Sequence, residues 1–224
     1  MTNLLRLGGA IAVLYGARRF YRNWGTTKEE SRMRLAGDDL LDGPVMQTTE
    51  AVWIDAPVAT VWQWLVQVGQ DRGGVYTFEA LENLAGLQYH NADRIHPEWQ
   101  DLAPGDTVRL VPKGWMGLRD GIALTVVDVV DHESIVLRSP SPERWEAVWS
   151  FHAFPHWDDR CRLMVRTRTR LRHPGQVLAD ELAGPAKAFV TRGMLLGIKR
   201  RAQQQFQAET SAAKASSDLH RVMS

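Results

Sequence analysis

Cysteine occurs once in the 224 residues, at Cys161, so no internal disulfide can form, and the usage fits a reducing compartment. Charge of one sign is not in excess, because 27 Lys and Arg meet 26 Asp and Glu. General nucleic-acid binders carry a basic surplus that neutralises phosphates, so no nucleic-acid partner is expected. No apolar run reaches the ~20 residues that a membrane-crossing helix needs. The run at residues 4–15 is short and interrupted by Arg6 and by Gly8-Gly9. Also missing are a Walker loop, G-x-G-x-x-G, G-x-S-x-G and H-E-x-x-H, which removes the common nucleotide, esterase and zincin signatures. A single cysteine leaves no thiolate zinc site. Neither a metal nor a cofactor is expected.

What the chain does have is apolar residues, at 44%, enough to build a large core. Nine tryptophans stand out, and tryptophan collects in cores, ligand pockets and membrane interfaces. At the amino end, the apolar run precedes Arg18, Arg19 and Arg22, which are mixed with Phe20, Tyr21 and Trp24. A signal peptide has the opposite order, with charge first and small residues at a cleavage site. Residues 1–23 therefore read as a membrane-interfacial or anchoring helix, the alternative being a helix packed on the domain. The arginines imply a cytoplasmic protein associated through this segment with the inner face of the cell membrane.

Residues 24–44 are polar and acidic and read as a linker. A strand is expected over 45–54. Asp55 and Pro57 start a helix whose apolar positions, Val58, Val61, Trp62, Leu65, Val66 and Val68, fall at helical spacing. A second short helix is expected at 78–85, followed by a polar loop over 89–106. Strands then follow at 107–111, 122–130, 134–138, 145–154 and 160–172. The last alternates cleanly. Cys161, Leu163, Val165, Thr167, Thr169 and Leu171 share one side, and Arg160, Arg162, Arg166, Arg168, Arg170 and Arg172 the other. Strands this close together with no helices between them pair as an antiparallel meander. A terminal helix begins after Pro174, with a break or kink at Gly184-Pro185 and its main part at 186–207. The small, polar residues 208–224 read as a disordered tail. The folded domain is thus expected to span 45–207.

Two clusters attract chemical readings. His90, Asp93, His96 and Glu98 could supply metal ligands, or His90 with Asp93 or Glu98 an acid–base pair. The reading adopted is a hydrogen-bonded lip that rigidifies the mouth of a cavity. The arginine ladder on the last strand invites an anionic-lipid or phosphate reading, and with the amino end that of a membrane-surface regulator. The reading adopted is a solvated convex face, its charge offset by carboxylates such as Glu143, Glu146 and Asp128. Trp149 and Phe151 either line a cavity or simply fill the core.

Several segments together resemble a known family. They are Trp24-Gly25-Thr26-Thr27 with Glu30, the helix Val61-Trp62-Gln63-Trp64-Leu65-Val66-Gln67-Val68-Gly69-Gln70, Tyr76, Leu81-Glu82-Asn83, His90-Asn91-Ala92-Asp93-Arg94-Ile95, Pro97-Glu98-Trp99-Gln100-Asp101-Leu102 and Pro104-Gly105-Asp106. These resemble a bacterial branch of the START-like superfamily (SRPBCC; polyketide cyclase/dehydrase and lipid transport). The resemblance implies an α+β helix-grip fold, a curved antiparallel sheet wrapped around a long C-terminal helix with a cavity between them. It also implies an apolar ligand, a lipid, polyketide or similar molecule, held by a carrier or sensor. The alternative is a cyclase or dehydratase using the same cavity. The ligand-binding residues expected are Trp64, Gln67, Tyr76, His90, Asp93, Arg94, Trp99, Trp149 and Phe151. The catalytic candidates are His90, Asp93 and Glu98.

Overall fold

The computed structural model of the chain describes residues 16, 18, 20–77, 90–140 and 145–223. Six strands, β1 (Val45–Ile54), β2 (Thr107–Val111), β3 (Ile122–Val130), β4 (Ser134–Arg138), β5 (Ala147–Trp157) and β6 (Arg160–Arg170), form one sheet in the order β1-β6-β5-β4-β3-β2. Every neighbouring pair is antiparallel. From β2 to β6 the chain runs as a meander, and β1 closes the far side by pairing with β6. Two helices are described, α1 (Val58–Val66) and α2 (Pro174–Met223). This is the α+β helix-grip, START-like architecture: a curved sheet and a long carboxyl-terminal helix.

Period-two alternation decides which side chains meet the helix. Val52, Ile54, Leu124, Val126, Ile135, Leu137, Phe151, Cys161, Leu163 and Val165 face inward and join Val61, Trp64, Leu65, Met194, Leu195, Ile198 and Ala202 in one core. Burial pushes the Cys161 thiol up to about 12, so this lone cysteine is an inert core residue. Close approach fixes one glycine. A Cβ on Gly197 of α2 would lie 1.9 Å from the carbonyl oxygen of Tyr76, so only glycine lets the helix seat here.

The outer face departs from expectation. Residues 24–44, read as a linker, lie across the sheet as a strap. Its start is a reciprocal turn, with the Thr27 N–H donating to Glu30 (2.7 Å) and the Glu30 N–H donating to the Thr27 hydroxyl (3.1 Å). Glu30 then accepts from Arg162 through both oxygens at 2.9 Å. Arg166, 1% exposed, donates to Thr49 (3.0 Å), Asp38 (2.7 Å) and the carbonyls of Met33 (2.7 Å) and Glu30 (3.0 Å). Arg168 donates to the Asp38 carbonyl. Leu35 packs on Ala51 and Met164, and Leu41 on Val136 and Val148. The arginine ladder is therefore a covered layer at its centre rather than a solvated face. At its far end Glu146 collects Arg138, Arg170 and Arg172 at 2.8, 3.0 and 3.2 Å, as expected of that carboxylate. Burial opposes the charge on Glu146, but the three guanidiniums outweigh it and hold the carboxyl below its usual range. Asp128 forms no such pair in the described structure, and Glu143 lies outside the described residues.

Two further expectations change. α2 runs without a break through Gly184-Pro185, and residues 208–223 extend it rather than forming a disordered tail. The reason is compositional: the alanines, Glu209 and Lys214 are poor core formers but strong helix formers, so a segment with little to bury still prolongs a nucleated helix. At ~1.5 Å per residue its 50 residues span about 75 Å. The helix expected at 78–85 and most of the amino-terminal segment lie outside the described residues. No described helix is long and apolar enough to cross a membrane.

Candidate functional site

The expected lip residues separate into two groups. Trp64, Gln67 and Tyr76 come together, buried, where α1 meets the loop that follows it. Gln67 is the hub. Its amide nitrogen donates to the Tyr76 hydroxyl (2.9 Å) and the Arg94 carbonyl (3.2 Å), and its oxygen accepts from the His96 N–H (3.1 Å) and from Gln100 (3.3 Å). That satisfies the amide in full. Trp64 donates to Gln205 of α2 at 2.8 Å, and Arg201 lies over the Tyr76 ring at 4.7 Å. Tyr76 adopts a left-handed backbone (φ 57), held by the Asn91 side chain, which accepts its N–H at 2.7 Å. This network locks the loop onto both helices, and burial raises the Tyr76 phenol well above its usual range.

The second group lies nearer the surface. His90, Asp93 and Arg94 are exposed. Glu98, 62% exposed, pairs with His96 at 3.0 Å, and His96 stacks on Trp99 at 4.2 Å. Among the described residues no cluster of His, Cys, Asp and Glu has metal-binding geometry.

A different site emerges on the concave face. Register places Glu50, Val165, Phe151 and Ile135 side by side across β1, β6, β5 and β4. The next row is Thr48, Thr167, Trp149 and Leu137, and beyond it lie Met46, Thr169 and Ala147. Phe151, Val165 and Leu137 are buried, as inward residues of central strands should be. Trp149, Thr167, Thr48 and Met46 face the same way but stay partly accessible. Trp149 and Phe151 meet at 4.6 Å between ring centres, an aromatic floor beside a strip of threonines.

Glu50 closes the inner end of this lane. It is 2% exposed, and its carboxylate lies 3.6 Å from Nε of Arg192 on α2. Desolvation outweighs the attraction of Arg192 and pushes the Glu50 carboxyl up to about 8. Arg192 is itself held between the rings of Phe20 and Trp24, at 5.0 and 5.1 Å. The carboxyl can thus offer a hydrogen-bond donor near neutral pH, and its ionic neighbour is an arginine, which exchanges no proton there. Sequence reasoning missed Glu50 and Arg192. The one available signal was a carboxylate at an inward position of a strand face that otherwise carries Met46, Thr48, Val52 and Ile54.

The outer face carries a second depression, a groove of about 620 Å³ between the strap, the β3–β4 turn and the end of β5, lined in part by Met33, Leu35, His132, His152 and Phe154. His152 is 4% exposed and its Nε2 has no hydrogen-bond partner. Burial and the Arg166 charge lower its pKa to about 4, so it sits there as a neutral ring.

No family model matches the sequence, and no curated protein matches it. Solved structures do. A truncated norcoclaurine synthase from Thalictrum flavum is 13% identical, with 70% of this chain and 92% of that chain covered and a TM-score of 0.43. The Zhui aromatase/cyclase from a Streptomyces species is 14% identical, with coverage of 72% and 96% and a TM-score of 0.43. A START superfamily protein from Mycobacterium smegmatis is 14% identical, with coverage of 67% and 98% and a TM-score of 0.34. At such identities no function passes from these proteins to this chain, whose START-like fold is read from its own strand order and terminal helix.

Proposed function

We propose that the protein binds an apolar small molecule, a lipid, polyketide or similar compound, on the concave face beneath α2, as a carrier or sensor. The observation that carries this reading is the partial accessibility of Trp149, Thr167, Thr48 and Met46, inward residues that a closed core would bury. Trp149 and Phe151 take the apolar body of the ligand. The threonines and the Glu50–Arg192 pair meet its polar end. Trp64, Gln67, Tyr76 and Trp99 act indirectly, by fixing the loop that borders the space. A fluorescence titration with N-phenyl-naphthylamine tests this. Thr167→Trp places a large ring in the middle of the lane, and it should weaken binding about tenfold or more while the thermal midpoint moves by only a few degrees. Undiminished binding by that variant would remove the lane as the site.

A further inference from the structure

The first half of α2 carries an apolar stripe that the fold does not bury. Leu178, Leu182, Phe189 and Leu196 are 63%, 76%, 50% and 45% exposed. They follow one another at intervals of four, seven and seven residues, which on a helix of 3.6 residues per turn makes a single line. From Leu178 to Leu196 the line is about 27 Å long. Phe20, 64% exposed and stacked beneath Arg192, extends it sideways. Monomeric proteins rarely leave such a row of large apolar side chains in water.

The charges around the stripe are one-sided. Lys199 flanks one edge, Arg200 the other, and Arg18 and Arg22 stand beside it in the amino-terminal segment. Glu181 is shared by Arg18 (2.6 Å) and Arg22 (2.5 Å), and Asp180 is taken by Lys187 (2.5 Å). Cations therefore outnumber anions along this face. The positions that would complete a coiled-coil seam between two copies are Pro185, Arg192 and Lys199, a proline and two cations. Two stripes packed on each other would bring like charges together, so a second copy of the chain fits poorly.

We infer that this face of α2 is a docking surface for an anionic lipid bilayer, with the leucines and Phe189 entering the headgroup–acyl boundary and the arginines and lysine meeting lipid phosphates. The inference is independent of the ligand reading, because it uses the outward side of the helix and none of the concave lane. It puts the long helix flat on the membrane.

Flotation of the full chain with phosphatidylglycerol–phosphatidylcholine vesicles, and with phosphatidylcholine alone, tests it. The wild type should float with the anionic vesicles and bind the neutral ones about tenfold or more weakly. Leu178→Glu with Leu182→Glu should reduce anionic-vesicle binding by about tenfold or more at an unchanged melting temperature, since both side chains are exposed. Arg200→Glu, which leaves every apolar residue in place, should reduce it several-fold. Equal binding by the double-leucine variant would overturn the proposal and assign any membrane contact to another segment. A wild type that ignores anionic vesicles would overturn it too. So would a dimer in analytical ultracentrifugation that the leucine substitutions dissociate, because the stripe would then serve a second copy.

Discussion

At the scale of single residues, Glu50 shows how burial and charge compete. Its carboxyl is raised to about 8 in the folded chain from an ordinary value of 4.5. A raised acid contributes stability that is complete below the unfolded value and is lost as pH climbs through the folded one. For Glu50 that window runs from about 4.5 to about 8. Glu50→Gln, neutral throughout, should match the wild type near the acid end of the window and exceed it above the alkaline end by on the order of 5 kcal/mol. Urea denaturation of both proteins across this range measures the difference. Two parallel curves would show that Glu50 keeps an ordinary pKa and is simply ion-paired to Arg192. Neither residue was legible as a site in the sequence, because they lie far apart in the chain and become neighbours only when β1 settles against α2. His90 and Asp93 illustrate the converse. A cluster of chemically able residues marks a loop rich in hydrogen-bonding groups, but it says nothing about where the side chains point, and these two are exposed.

At the scale of elements, the strands were legible because one face of each must be apolar, and period two reports that directly. β1 to β4 begin and end where the pattern predicts. The strap over residues 24–44 was not legible. Its polar, acidic composition is what a solvated linker would have, and here it serves to satisfy a row of arginines. The ladder and the strap are two halves of one structure. Arg166 is the test of this, because its guanidinium supports Asp38 and two strap carbonyls at once. Arg166→Met leaves Asp38 half-buried beside a weaker counter-charge and orphans both carbonyls, so it should cost about 3–5 kcal/mol. It should also release the strap, which hydrogen exchange at residues 30–40 would report as faster exchange confined to that segment and its contacts. A loss of under about 1 kcal/mol with unchanged exchange would mean that the strap is held by Leu35 and Leu41 alone.

At the scale of the whole molecule, the chain divides its long helix between two tasks. Met194, Leu195, Ile198 and Ala202 grip the sheet, while the preceding turns present leucines outward. Fold class followed from the order of elements, a strand, a helix, a meander and a terminal helix, which few architectures accommodate. What the fold holds does not follow from that order. It depends on the few inward side chains that remain accessible, and on an inner surface graded from apolar at Val52 and Leu163 to threonine and carboxyl at Thr167 and Glu50. The most direct measurement of the central claim is native mass spectrometry of the purified full chain, with and without added fatty acids, sterols and aromatic polyketides. A discrete mass adduct of small-molecule size, lost on denaturation and diminished in Thr167→Trp, is expected. A protein that holds only its own mass as purified, and takes up none of these compounds, would contradict it.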